Sequence, residues 1–261
     1  MFKTLLLSLV ALSAAQPVSA QPPVPPLQPV RIILVGDSTM AVKSGYGPGF
    51  CALVVEPGTC VNMAKGGRSS GSYRAEGSWT QVMDQLKTNS AFSETYVLIQ
   101  FGHNDQPGKP GRSTDLATEF PSNLARYLED VQSTGAKPVL VTALTRRSFR
   151  DGKLKDDLEP WAAATRKMGA DANIPVLDLH AESSAAVQKM GPSNANTLAM
   201  GPPPPVAVES AANGNSAPVP KANGPEFDYT HLGAKGAAYF GRMVADELVQ
   251  ALPELAPYFK R

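Results

Sequence analysis

The chain predicts an α/β fold, a three-layer α/β/α sandwich around a five-stranded parallel sheet. Three observations point there: short apolar runs recur along its 261 residues, helix-length segments separate the later runs, and those segments place apolar residues at spacings of three and four. Strands covered on both faces read as continuous apolar runs, and helical crossovers are what cover them.

The elements follow in order. Strands are expected near 30–35, 60–63, 96–101, 138–143 and 175–179. Leu116, Phe120, Leu124, Tyr127, Leu128 and Val131 form one helical stripe, which Gly135 ends. Pro121 is tolerated in its first turn if Thr118 is the N-cap. A second helix is expected from about Leu158 to Ala172, with Pro160 near its start. Phe240, Val244, Leu248 and Leu252 give the last helix its buried face, and Pro253 helps to end it.

Three stretches stand apart from this core. Residues 1–20 combine Lys3, an apolar run from Leu5 to Ala15 and Val18-Ser19-Ala20, the pattern of a signal peptide cut after Ala20. The expected product is exported, periplasmic or extracellular. Residues 21–29 are Pro-rich and read as an extended N-terminal arm, which leaves 30–261 as a single domain. Within it, 196–226 holds seven prolines, no aromatic residue and only Glu209, Lys221 and Glu226 as charges, so it reads as a low-complexity insertion. No later apolar run reaches the roughly 18 residues of a membrane span.

The chemistry is concentrated at two distant points. Gly36-Asp37-Ser38 closes the first apolar run, where a parallel sheet presents its reactive edge, and Asp228-Tyr229-Thr230-His231 stands near the last helix. A serine hydroxyl needs a base to attack at neutral pH, and imidazole is the side chain best matched to that work. The chain has three histidines. His231 alone has a carboxylate within one turn on its N-terminal side and a long helical pattern after it. If Asp228 binds Nδ1, Nε2 is left to take the proton from Ser38. His180, preceded by Asp178 at a strand end, is the rival base, and His103 reads as a loop-fixing residue.

A tetrahedral intermediate also needs donors for its oxyanion. Gly102-His103-Asn104-Asp105 follows the run Tyr96–Phe101 and offers the Asn104 amide, whereas Asp105 reads as a turn former. Asn62-Met63-Ala64-Lys65-Gly66-Gly67-Arg68-Ser69 places paired glycines where a backbone N–H approaches a ligand, with Gly67 the better donor. Gly67-Arg68-Ser69-Ser70-Gly71 also fits the G-x-S-x-G nucleophile elbow, but that elbow needs a strand running directly into its serine and a helix leaving it. Lys65-Gly66-Gly67 interrupts the approach, and Ser70-Gly71-Ser72 is expected to open no helix.

In this order, the four blocks resemble the SGNH or GDSL-like hydrolases, over nearly the whole of the chain past residue 20. Gly36-Asp37-Ser38-Thr39-Met40, the Gly-Arg-Ser step, Phe101-Gly102-His103-Asn104-Asp105 and Thr142-Ala143-Leu144-Thr145-Arg146-Arg147 look most like rhamnogalacturonan acetylesterases. The resemblance implies strand order 2-1-3-4-5 and removal of O-acetyl groups from pectin sugars through an acyl-enzyme. It implies Ser38 as nucleophile, Asp228 and His231 completing the triad, and an oxyanion hole from the Ser38 and Gly67 amides and Asn104. The Pro-rich insertion departs from the family pattern. A lipase or thioesterase with the same machinery, or a non-catalytic polysaccharide-binding module, is the alternative.

Composition narrows the partners. With formal net charge +1 and 18% charged residues there is no basic stripe for nucleic acid. Arg68, Arg146 and Arg147 are the cations expected to meet an acidic, acetylated polysaccharide or oligosaccharide, and a monomer is expected. Cys51 and Cys60 are expected to bridge, with reduced, buried thiols the alternative. No Cys, His and carboxylate cluster has metal-site spacing, so neither metal nor cofactor is expected.

Overall fold

The computed structural model describes residues 26–202 and 227–261. The expected signal peptide at 1–20, residues 21–25 of the arm and residues 203–226 of the insertion lie outside the described residues.

Seven strands and seven α-helices are described: β1 Val30–Gly36, α1 Gly47–Cys51, β2 Gly58–Asn62, α2 Ser70–Ala75, α3 Ser78–Leu86, β3 Glu94–Gln100, α4 Glu119–Ser133, β4 Lys137–Val141, β5 Phe149–Arg150, β6 Lys153–Leu154, α5 Glu159–Ala172, β7 Val176–Leu177, α6 Leu179–Asn196 and α7 Ala234–Ala251. Five strands form one sheet in the order β2-β1-β3-β4-β7, and every pairing is parallel. This is the expected sandwich and the expected order.

Side chains alternate across the sheet, so the continuous apolar runs divide into two cores. Ile32 and Leu34 of β1 join Leu98, Val139 and Val141 beneath α1, α6 and α7. Ile33 and Val35 join Val97, Ile99 and Leu140 beneath α3, α4 and α5. The stripe Phe120, Leu124, Tyr127, Leu128 and Val131 is buried along α4, and Phe240, Val244 and Leu248 along α7. Against α7 lies α1, close enough that a Cβ on Gly49 would stand 2.0 Å from the Ala237 carbonyl oxygen.

Several local expectations are corrected. The last sheet strand spans only Val176–Leu177 rather than 175–179, because Asp178 turns to cap α6 and carries His180 into that helix. The hairpin β5–β6 was not foreseen: two residues per strand leave no periodicity to read. Thr118 does stand at the N-cap of α4, yet its hydroxyl donates to Asp115, whose carboxylate also accepts the amides of Ala117 and Thr118. The start of the stretch assigned to the insertion is packed: Asn196 ends α6, Leu198 is buried and Ala199 bridges to Leu232. One apolar side chain anchors residues that average composition assigns to the loop.

Cys51 and Cys60 form a disulfide, tying α1 to the edge strand β2.

Candidate active site

β1 ends in a tight turn that sets Ser38 at the carboxyl edge of the sheet. The buried Asp37 accepts the amide and hydroxyl of Thr39, each at 2.8 Å, while its carbonyl accepts the amides of Met40 and Ala41. Gln100, at the end of β3, donates to Thr39 and accepts from Tyr46, so a buried chain of hydrogen bonds underlies the serine. Burial alone would raise the Asp37 carboxyl, but the neighbouring His103 imidazole and the bonds to Thr39 outweigh it and hold it below the usual carboxylate range.

Asp228 and His231 sit in the coil before α7. Asp228 Oδ2 meets His231 Nδ1 at 2.7 Å, and Oδ1 accepts the amides of Thr230 and His231, each at 2.9 Å. Partial burial pushes the Asp228 carboxyl up, but these bonds and the imidazole bring it below its ordinary value. An ionised Asp228 fixes a proton on Nδ1 and leaves Nε2 as the acceptor.

Ser38, His231, Asn104 and His103 line one cavity of about 550 Å³. Among the described residues no hydrogen bond joins the Ser38 hydroxyl to the imidazole, a geometry common in sites that tighten on substrate. Nor has the amide of Ser38 or of Gly67 an acceptor among them, which leaves both N–H groups for a ligand oxygen. Gly67 has φ of 77°, which favours glycine, and a Cβ on its neighbour Gly66 would stand 3.7 Å from the Ser38 Cβ. Asn104 Nδ2 donates one of its two hydrogens to the Arg68 carbonyl at 3.0 Å, and the other is available.

The loops that carry these donors are tied together by Asp105, which accepts the Ser70 hydroxyl, the Ser70 and Gly102 amides and the Thr114 hydroxyl. Expected only to form a turn, it also joins β3 to α2. Ser69 is fully buried and caps α2, its Oγ accepting the Ser72 amide. Ser70-Gly71-Ser72 does open a helix, contrary to expectation, because that cap satisfies its first turn. The elbow still fails: β2 ends at Asn62, seven residues before a serine that does not face the cavity.

The other two histidines separate. His180 is buried, with Nδ1 against the Ala143 carbonyl and Nε2 2.8 Å from Asp156, away from the cavity, while Asp178 bonds Thr142 and Arg166 instead. His103 lines the cavity 3.5 Å from Asp37, and burial lowers its pKa more than Asp37 raises it. Asp156, Glu159 and His180 bring ligand atoms within 4.8 Å of one another, a grouping that residues up to 24 positions apart do not announce. Glu159 is already paired with Arg166.

Of the three arginines expected to meet substrate, Arg146 lines the cavity, held by Asp157 and Gln106. Arg147 does not. It is fully buried beneath the Asp228–His231 coil, because its side chain points inward while that of Arg146 points out. Arg68 is committed to Glu76 and to the Gly66 carbonyl, and it does not line the cavity. Sequence reasoning did not single out Lys155, Asp157, Phe227 and Tyr229, which also line it. Only Tyr229, inside the Asp-x-x-His block, carried a positional signal.

Known proteins share this chain's sequence pattern and its fold. Residues 34–239 match the GDSL-like lipase/acylhydrolase family. The rhamnogalacturonan acetylesterase RhgT of Bacillus subtilis is 31% identical over 84% of this chain and 89% of its own. A probable rhamnogalacturonan acetylesterase of the same organism, YesY, is 27% identical over 82% of this chain and 90% of its own. Among solved structures, the YxiM protein of Bacillus subtilis superposes with a TM-score of 0.64 at 21% identity, covering 88% of this chain and 58% of that one.

Proposed function

The chain belongs to the GDSL-like lipase/acylhydrolase family and is a carbohydrate acetylesterase, and from that premise we propose that it deacetylates rhamnogalacturonan through an acyl-enzyme on Ser38. The observation that carries this reading is the 2.7 Å contact of Asp228 with His231 at a cavity that Ser38 also lines.

Asp228 holds the imidazole so that Nε2 accepts the Ser38 proton as Oγ attacks the acetyl carbonyl. The oxyanion receives hydrogen bonds from the Ser38 and Gly67 amides and Asn104. Collapse of the intermediate expels a sugar hydroxyl, which takes the proton from His231. Water then attacks the acetyl-serine with His231 again as base, releasing acetate.

The pectin assignment is supported by the two curated relatives. It also suits the cavity wall, which Lys109, Arg146, Lys155, Asp157 and Asp228 line and where Phe227 and Tyr229 form an edge-to-face aromatic pair with centroids 4.8 Å apart. A largely polar wall of this kind offers little to a long acyl chain and counts against a lipase.

Acetate release from acetylated rhamnogalacturonan, xylan and chitin fragments tests the reading. The first is expected to be the preferred substrate, and Ser38→Ala is expected to abolish release while keeping the fold. Faster release from xylan would overturn the pectin assignment, and an active Ser38→Ala would overturn the mechanism.

A further inference from the structure

The tetrapeptide Asp228-Tyr229-Thr230-His231 belongs to no helix or strand, yet it must hold two side chains in register with a serine on another element. Its amides at Thr230 and His231 are satisfied by Asp228. Its carbonyls need other partners, and one residue reaches all four, the Met200 amide adding a second, longer bond of 3.3 Å to the carbonyl of His231. Arg147 donates Nη2 to the carbonyls of Asp228 at 3.0 Å and His231 at 2.7 Å, Nη1 to that of Thr230 at 3.3 Å, and its own backbone N–H to that of Tyr229 at 2.9 Å. All four consecutive carbonyls are thus bonded from one side chain and its amide. The guanidinium fork suits this convergence, because its donors diverge in one plane, whereas an ammonium is a point charge on a flexible stem.

Arg147 is also fixed from behind. It follows β4 by six residues and is fully buried. Burial lowers its pKa to about 10, with Asp228 opposing, so the group stays charged at neutral pH. A buried charge that bonds only carbonyls carries a desolvation cost that packing alone does not explain.

We infer that Arg147 is a positioning residue for ester hydrolysis: it sets the backbone of the Asp228–His231 tetrapeptide and, through it, the reach of the His231 imidazole toward Ser38. This rests on the proposed roles of Asp228 and His231. It touches neither substrate nor reacting atoms. Its removal therefore alters the placement of the base and leaves intact the Lys109, Arg146 and Lys155 side of the cavity, which it does not bond.

The test compares Arg147→Lys, Arg147→Met and His231→Ala on a chromogenic acetate ester, each as folded material matched to the parent by circular dichroism and gel filtration. Arg147→Met is expected to lower kcat by roughly ten- to a hundredfold, the scale of a misplaced catalytic group, with KM within about twofold. Arg147→Lys, which keeps the charge and part of the bonding, is expected to recover some of the loss. In both, the downfield proton resonance of the His231 Nδ1–H is expected to shift or broaden. Parent-like kcat in Arg147→Met, a change confined to KM, or an unchanged resonance would each overturn the inference. If the Met variant does not fold, the Lys variant decides by the same readouts. An active His231→Ala would remove the underlying triad and this inference with it, whereas an inactive His231→Ala beside fully active Arg147 variants would remove the positioning role alone.

Discussion

The Asp105 carboxylate accepts the Ser70 hydroxyl at 2.6 Å, across 35 residues of chain, and so locks the Asn104 loop to the start of α2. Replacing Asp105 by Ala strands the buried Ser70 and Gly102 amides as well as two hydroxyls. A loss of about 2–4 kcal/mol in unfolding free energy is expected from several unmade buried bonds, with lower kcat as Asn104 loosens. Urea unfolding with parallel kinetics checks both, and a variant as stable as its parent would show that the donors find other acceptors.

At the contact between α1 and α7, a Cβ on Gly241 would fall 2.4 Å from the Phe50 amide nitrogen. Backbone cannot yield as a flexible side chain does, so Gly241→Ala is expected to destabilise by about 2–3 kcal/mol or more through overpacking. Thermal melting reads this directly. An unchanged midpoint would mean that the two helices separate freely.

Glu247 on α7 is buried, and its Oε1 has no hydrogen-bond partner. Burial, with Glu182 and Asp178 near it, pushes its pKa to about 8 from 4.5. The folded state therefore binds more protons than the unfolded chain between those values, so this group's stabilising contribution is complete at pH 4 and fades as pH rises through 8. Glu247→Gln should match the parent near pH 5 and exceed it by about 1–2 kcal/mol at pH 9, after allowance for solvent screening. Melts across that range decide, and a constant difference would contradict the assignment.

Asp228→Asn would preserve shape but allow the imidazole to flip its tautomer, since an amide can donate toward Nδ1. A fall in kcat of about a thousandfold or more is expected, with KM little changed. Stopped-assay acetate release measures it, and activity near the parent's would leave Asp228 as a structural cap alone.

Periodicity and apolar runs made the sandwich legible, because β1, β3 and β4 are covered on both faces and α4 and α7 each bury one continuous stripe. Two-residue elements were harder: β5 and β6 escaped, and β7 was placed but drawn too long, because such elements are defined by partners rather than by pattern. The site was legible where chemistry demands a residue type. Serine, imidazole and a carboxylate three residues before it leave few choices among three histidines. Arg146 was read correctly as a cavity residue, but Arg68 and Arg147 were not, since a guanidinium serves a solvent-facing wall, a surface ion pair and a buried carbonyl cluster equally well.

Sequence by itself determined the layers, the strand edge that carries Ser38 and the pairing of Asp228 with His231, because each follows from local spacing along one segment. Tertiary structure alone decided that Arg146 opens onto the cavity while Arg147 turns beneath the coil, and that Asp105 binds Ser70. Those contacts join segments 35 to 84 residues apart, and no local pattern encodes which polar group desolvation forces against which.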